Sequence, residues 1–190
     1  TLGDDSLRLG AADPARSASG LLALTRLSSA AGRAEGGATQ AAAMMKSLSQ
    51  RISDSDGRLV ETLPRDSSGT EQGNQKRNQA LVLSEQAAFA HNSSAEAGDG
   101  LDFFYPTDGS PRLDYPYVLV DDTRLSTDES RAAIRFMTYL RKPEQEQLLT
   151  DRGFRTSDDH VSASLVAKAG GRAPLAITCS GAITSLTLSK

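Results

Sequence analysis

The residues whose types and spacing could do chemistry in this chain are hydroxyls and carboxyls rather than imidazoles or thiols. Ser17-Ala18-Ser19-Gly20 stands directly ahead of Leu21, Leu22, Leu24 and Leu27, which hold helical spacing. First-turn N–H groups have no acceptor inside a helix, so hydroxyls beside them favour an anion or a polar oxygen. The same residues also read as a plain Ser N-cap, which needs no ligand. Ser84-Glu85-Gln86 follows the apolar run Ala80 to Leu83 and precedes Ala87, Ala88, Phe89 and Ala90. A polar triplet at the carboxyl end of a strand sits where α/β sheets present ligand groups, and a simple polar turn is the alternative. Asp66-Ser67-Ser68-Gly69-Thr70 matches D-x-S-x-T, the pattern of a metal-dependent adhesion site. Such a site needs its Asp at the end of a buried strand, and Leu63-Pro64-Arg65 is a poor strand end, so the match reads as accidental.

Other chemistries fail on residue type. There is no G-x-S-x-G, and Ser19 has no evident His partner. His91 ends an Ala-rich run, where a cation suits a helix C-terminus, and His160 is the only other histidine. Cys179 is the single cysteine, which excludes an internal disulfide and a multi-Cys zinc site and leaves no positioned partner for a nucleophile. Arg131, Arg135, Arg141 and Lys142 read as the wet face of a helix. The 21 basic and 24 acidic residues give a net charge of −3, without the basic excess of a nucleic-acid binder. These residues predict no catalytic group, no metal, no cofactor and no nucleic-acid partner.

The elements that position the hydroxyls follow from punctuation and period. Leu7 to Ala11 alternates and stops at Asp13-Pro14, a strand entering a turn. Helices follow at Leu21 to about Gly32 and at Ala41 to Leu48, and Leu59 to Leu63 reads as a short strand. Arg65 to Arg77 is a polar loop. Strand, turn and helix are expected through Ala80 to Ala90, then strands at Leu101 to Tyr105 and at Tyr115 to Val120, the latter buried on both faces. Ser126-x-x-Glu129 is a capping box opening a helix through Ala133, Phe136, Met137 and Leu140 to Arg141. Pro143 starts another, and Gly153-Phe154 makes a Schellman-like stop. Leu175 to Leu188 alternates but is rich in Ser and Thr, a final strand or a frayed tail. Alternating strands and helices predict an α/β fold. At 190 residues and 38% hydrophobic, the chain can bury a core made of Ala, Leu and Val. No run approaches a membrane span, and the acidic start at Thr1, without an initiator Met, reads as a piece of something longer.

Three segments in order carry a resemblance. Pro14 to Leu21 resembles the P-x-x-S-x-S-G-L segment of bacterial extracellular solute-binding proteins. Tyr105-Pro106-Thr107-Asp108-Gly109, with Asp114-Tyr115-Pro116 after it, resembles their YP-x-(D/E)-G … DYP return strand. Ala133 to Leu140, Pro143-Glu144-Gln145-Glu146 and Gly153-Phe154-Arg155 resemble their A-x-x-F-x-x-(F/Y)-L … PE-x-Q … GFR helix pair. The flavour is that of secreted proteins in which such a segment precedes a von Willebrand factor A domain. The resemblance implies a three-layer αβα, type 2 periplasmic-binding-like fold, mostly one lobe plus the returning part of the other. Residues 7–104 would form the second-lobe-like region, 105–158 the hinge strands and returning first-lobe helices, and 159–190 a C-terminal linker or tail. The family's opening strands and first ligand loop would be missing.

By the same resemblance, Ser17, Ser19 and Gly20 would line a ligand loop, with Ser84, Glu85 and Gln86 as strand-end contacts. Asp114 and Tyr115 would lie on the hinge strand. The implied function is binding of a small polar or anionic solute outside the cytoplasmic membrane, without catalysis. A membrane transporter or a downstream von Willebrand factor A domain would be its partner. A competing expectation is a protein-interaction or adhesion-type domain that keeps the scaffold without a small ligand. It is motivated by the absent first-lobe segment and by the polar Arg65 to Arg77 loop.

Overall fold

Three short strands come together because each is flanked by turns and each carries small or aliphatic residues. In the computed structural model they are β1 (Leu9–Ala12), β2 (Ile52–Ser53) and β3 (Ala80–Val82), all parallel in the order β2-β1-β3. The structure describes residues 7–33, 36–64, 73–95, 100–106, 110–119, 122–156 and 162–169. Ala11 pairs with Ile52 on one side and Val82 on the other, and the Asp13 N–H extends the ladder to Ser53 O at 2.8 Å. The chain forms two compact units, one of Thr1–Ala87 with Ala95–Gly100 and one of Ala88–Ser94 with Leu101–Lys190.

In the first unit the pleat of β1 divides its side chains between two faces. Leu9 and Ala11, with Val82 of β3, pack against Ala23 and Leu27 of α1 (Ala18–Gly32) and Leu48 of α2 (Gly37–Ser49). On the other face, Gly10 approaches the fully buried Leu59 of α3 (Asp56–Val60). Helices therefore cover both faces of a small parallel sheet, an α/β arrangement that agrees with the expected class. A Cβ on Gly20 would strike the Ala12 carbonyl oxygen, so glycine there lets α1 begin directly over the end of β1. The expected strand at Leu59 to Leu63 is instead the end of α3 and the turn beyond it. The Ser55 hydroxyl caps α3 by accepting from Arg58 N at 3.3 Å, and Leu59 turns inward on that helix. The strand beside β1 is the two-residue β2 just before it.

The second unit takes its order from helices. α4 (Glu85–Ser94) spans the division between the units, with Phe89 in the second, packed with Leu165 and Phe103. α5 (Thr127–Leu140) opens on the expected capping box, Glu129 N donating to Ser126 Oγ and Ser126 N to Glu129 Oε2. The Ser126 hydroxyl, donating to the same Oε2 at 2.7 Å, and then the Ser126 N–H hold the Glu129 carboxyl below its ordinary value. α6 (Pro143–Thr150) starts at its proline and stops at Gly153, whose φ is 88°. Around that stop Gly153 N donates to Thr150 O and Phe154 N to Leu149 O, both at 3.1 Å, a Schellman closure. α7 (Ala163–Ala169) falls in the stretch expected to be a linker or tail.

Two strands expected in this unit are not formed. At Leu101 to Tyr105 the Asn92 side chain takes both Leu101 backbone groups, at 2.7 and 3.0 Å, and the Phe103 and Tyr105 rings stack at 6.2 Å. At 114–119 only isolated bridge residues occur, Asp114 and Tyr117, because Pro116 has no N–H to give a ladder. Val118 and Leu119 are exposed there rather than buried on both faces. Asp66 to Thr70, His160, Cys179 and the run Leu175 to Leu188 lie outside the described residues, as does Val120.

Candidate functional site

The carboxyl ends of parallel strands all point one way, so the segments leaving β1, β2 and β3 share one edge of the sheet. From β1 comes Asp13 to Gly20, from β2 Asp54 to Asp56, and from β3 Ser84 to Gln86. The chain leaves β1 for β2 on one side and returns with β3 on the other, so β1 and β3 are neighbours in space but not in order. In open α/β sheets such a pair of divergent loops is where ligands bind. Six expected site residues, Ser17, Ser19, Gly20, Ser84, Glu85 and Gln86, are on this edge. Asp114 and Tyr115 belong to the second unit, where the Tyr115 ring meets Phe154 edge-on at 5.4 Å.

The two serine loops behave differently. Ser17 occupies the N-cap position of α1 with extended backbone, yet its hydroxyl caps no N–H. It lies 2.7 Å from Ser19 Oγ, and Ser19, 7% exposed, donates to Asp56 Oδ1 at 2.7 Å. Ser84, by contrast, is buried and accepts from Ala87 N at 3.1 Å, so it serves α4 as an ordinary cap. Glu85 and Gln86 stand in the first turn of that helix, half-buried.

Charge at the edge comes from residues whose role sequence reading missed. Asp13 Oδ1 accepts from Ala15 N at 2.9 Å and its carbonyl accepts from Ser17 N at 2.8 Å, which shapes the loop ahead of α1. Arg16 bridges Asp13 at 3.8 Å and Asp54 at 3.4 Å across the β1 and β2 loops. These pairs are exposed and contribute little energy, but they bring the two loops together. Asp54 and Asp56 were open to discovery by the strand-end rule. Reading the strand at Leu59 rather than Ile52 moved that edge out of view.

Among the described residues no group of three or more His, Cys, Asp or Glu could hold a metal ion. No helix among them is long and apolar enough to cross a membrane. The arrangement offers hydrogen bonds: helix-start N–H groups, two serine hydroxyls in series, a carboxylate and a capped serine. That is hydrogen-bonding chemistry, laid out at the carboxyl ends of three parallel strands.

The chain belongs to the bacterial extracellular solute-binding protein family, whose model matches residues 1–155. It is also similar to two uncharacterized proteins of Mycobacterium tuberculosis, from strains CDC 1551 / Oshkosh and ATCC 25618 / H37Rv. Each is 39% identical over 80 residues, which is 42% of this chain and 12% of the relative's length. The matched region thus spans only about 12% of the curated relatives. No solved structure matches the chain.

Proposed function

We propose that this chain is a solute-binding module that holds a small polar or anionic solute at the carboxyl edge of β1 and β3 without transforming it. The observation that carries this reading is the convergence of two loops from non-consecutive neighbouring strands on one edge, in a chain of the solute-binding family. Ser17, Ser19 and Gly20 supply one side, and Ser84, Glu85 and Gln86 the other. The full architecture is then a type 2 periplasmic-binding fold, with residues 7–104 in one lobe and 105–158 as the crossing and returning part of the other. Residues 159–190 are then a C-terminal linker or tail. The module works outside the cytoplasmic membrane, delivering its solute to a membrane transporter or serving an adjoining von Willebrand factor A domain.

Thermal-shift and calorimetric screening of the chain with oxyanions, sugars, amino acids and metal ions tests the proposal. A ligand at about 100 times its Kd adds roughly 2.7 kcal/mol of stability. For a chain of this size that is a rise in Tm of roughly 5–10 °C. The Ser17→Ala/Ser19→Ala double variant is expected to abolish the rise while keeping its helical content. Undiminished binding by that variant puts the site elsewhere, and no response to any solute favours a protein-interaction domain.

A further inference from the structure

We propose that the exposed stripe of α5 is a self-complementary surface on which a second copy of this chain docks, the two helices running antiparallel. α5 carries two stripes on different faces. Ser130, Ala133, Met137 and Leu140 are half-buried, so the second unit partly covers that side. Ala132, Phe136 and Tyr139 lie about a third of a turn away round the helix and are exposed. Their spacing, four residues and then three, is that of a coiled-coil seam, which a facing helix covers. The Tyr117 ring meets Phe136 edge-on at 5.6 Å and still leaves it half in solvent.

The order of charge beside the stripe is what commits it to a second copy. Asp128, Arg135 and Lys142 are seven residues apart, so they share one edge of the seam. Lys142 lies on that side, its Nζ 5.7 Å from the centre of the Tyr139 ring. The edge is therefore acidic where α5 starts and basic where it ends. Two parallel copies would set Asp128 against Asp128 and Lys142 against Lys142. Antiparallel copies, related by a two-fold axis between Arg135 and Phe136, bring Asp128 of each to within one residue of Lys142 of the other. In that register Ala132 comes level with Tyr139 of the second copy, small against large, and the two Phe136 rings meet at the axis. Asp128 reaches Arg131 at 2.8 Å, an exposed pair that costs little to exchange. One contact is unfavourable, since Arg135 faces itself across the axis. A helix of 14 residues is only about 21 Å long, so the contact is small and the dimer weak, with a Kd on the order of 100 μM. Docking through α5 uses none of the residues assigned to the solute.

Sedimentation velocity of the full chain, over about a hundredfold range of concentration around that Kd, tests the proposal. A reversible monomer–dimer equilibrium is expected. Ala132→Glu places a long acidic side chain in the seam, yet in the monomer it is a good helix former facing water, so it should leave only monomer. Asp128→Lys and Lys142→Asp should each weaken the dimer roughly fivefold, and the two together should restore it. Arg135→Ala should tighten it by a similar factor, because it removes the like-charge contact at the axis. Circular dichroism checks that every variant keeps its helical content. A chain that stays monomeric throughout overturns the proposal, as does a dimer that Ala132→Glu leaves intact. A doubly reversed variant that binds itself no better than the single ones overturns the antiparallel register, and with it the argument for a second copy.

Discussion

In the first unit Leu59 has no exposed surface and Ala11 and Ala12 show only 1%, whereas in the second unit not one residue of α5 is buried. Ile134, Phe136 and Tyr139 on α5 each keep about half their surface in solvent. The sheet explains the contrast. A strand with helices on both faces can bury residues on each, even small ones, while a helix buries only the stripe that meets a neighbour. α5 instead draws on local devices: a capping box, the Tyr117 ring edge-on to Phe136 at 5.6 Å, and Lys142 over the Tyr139 ring at 5.7 Å. Order in one unit comes from packing between layers, and in α5 from a cap and a few ring contacts. The candidate site stands on the first kind, which suits a ligand edge that must hold hydroxyl positions to fractions of an ångström.

The largest blow to this contrast would come through Leu59. Leu59→Ala opens a cavity beneath β1, where Gly10 has no side chain to fill it, and should destabilise the first unit by about 2–5 kcal/mol. Denaturant unfolding combined with residue-resolved hydrogen exchange reads the effect. Protection is expected to fall in β1 to β3 while α5 keeps its own. An equal loss in α5 would mean that the two kinds of order are not separable.

Gly20→Ala comes next. The added methyl meets the Ala12 carbonyl oxygen, a backbone atom that cannot swing aside, so α1 must lift off the end of β1 at a cost of about 1–3 kcal/mol. The glycine sits between the serines and the strand, so solute affinity should fall together with stability. Gly57→Ala on α3 is the control, because its added Cβ meets nothing within 4 Å. A Gly20 variant as stable as that control would show that the close approach is not what seats Ser17 and Ser19.

Much of this arrangement was legible in the residues, and what was not had local causes. The helix from Thr127 and the stop at Gly153 were readable because caps and turn residues act on their own neighbours. The placement of Ser17, Ser19 and Ser84 near strand and helix ends was legible because turns and caps follow a positional rule. The division of labour between them was not, since only the folded chain sets Ser17 beside Ser19, which donates in turn to Asp56. Ile52–Ser53 is too short for any alternation to register, and β1 pairing alone makes it a strand. The reverse error at Leu101 to Tyr105 has the same root. Asn92 supplies the bonds that an apolar, aromatic run would otherwise seek from another strand.

The smallest expected effect probes the local side of the comparison. Glu129 has its carboxyl held below the ordinary 4.5, first by the Ser126 hydroxyl and then by the Ser126 N–H, so folding favours its ionised form. A lowered folded value means that the contribution is fully present above the ordinary value. It is lost as pH falls through the lowered one, where protonation removes an acceptor from the box. Acid titration followed by amide chemical shifts at Ser126 and Glu129 should therefore show the first turn of α5 fraying below about pH 4.5. Glu129→Gln keeps a carbonyl acceptor but cannot ionise, so its first turn should be insensitive across that range. Identical acid profiles for the two proteins would remove the carboxylate from the account of α5 and leave the Ser126 hydroxyl as the whole of its cap.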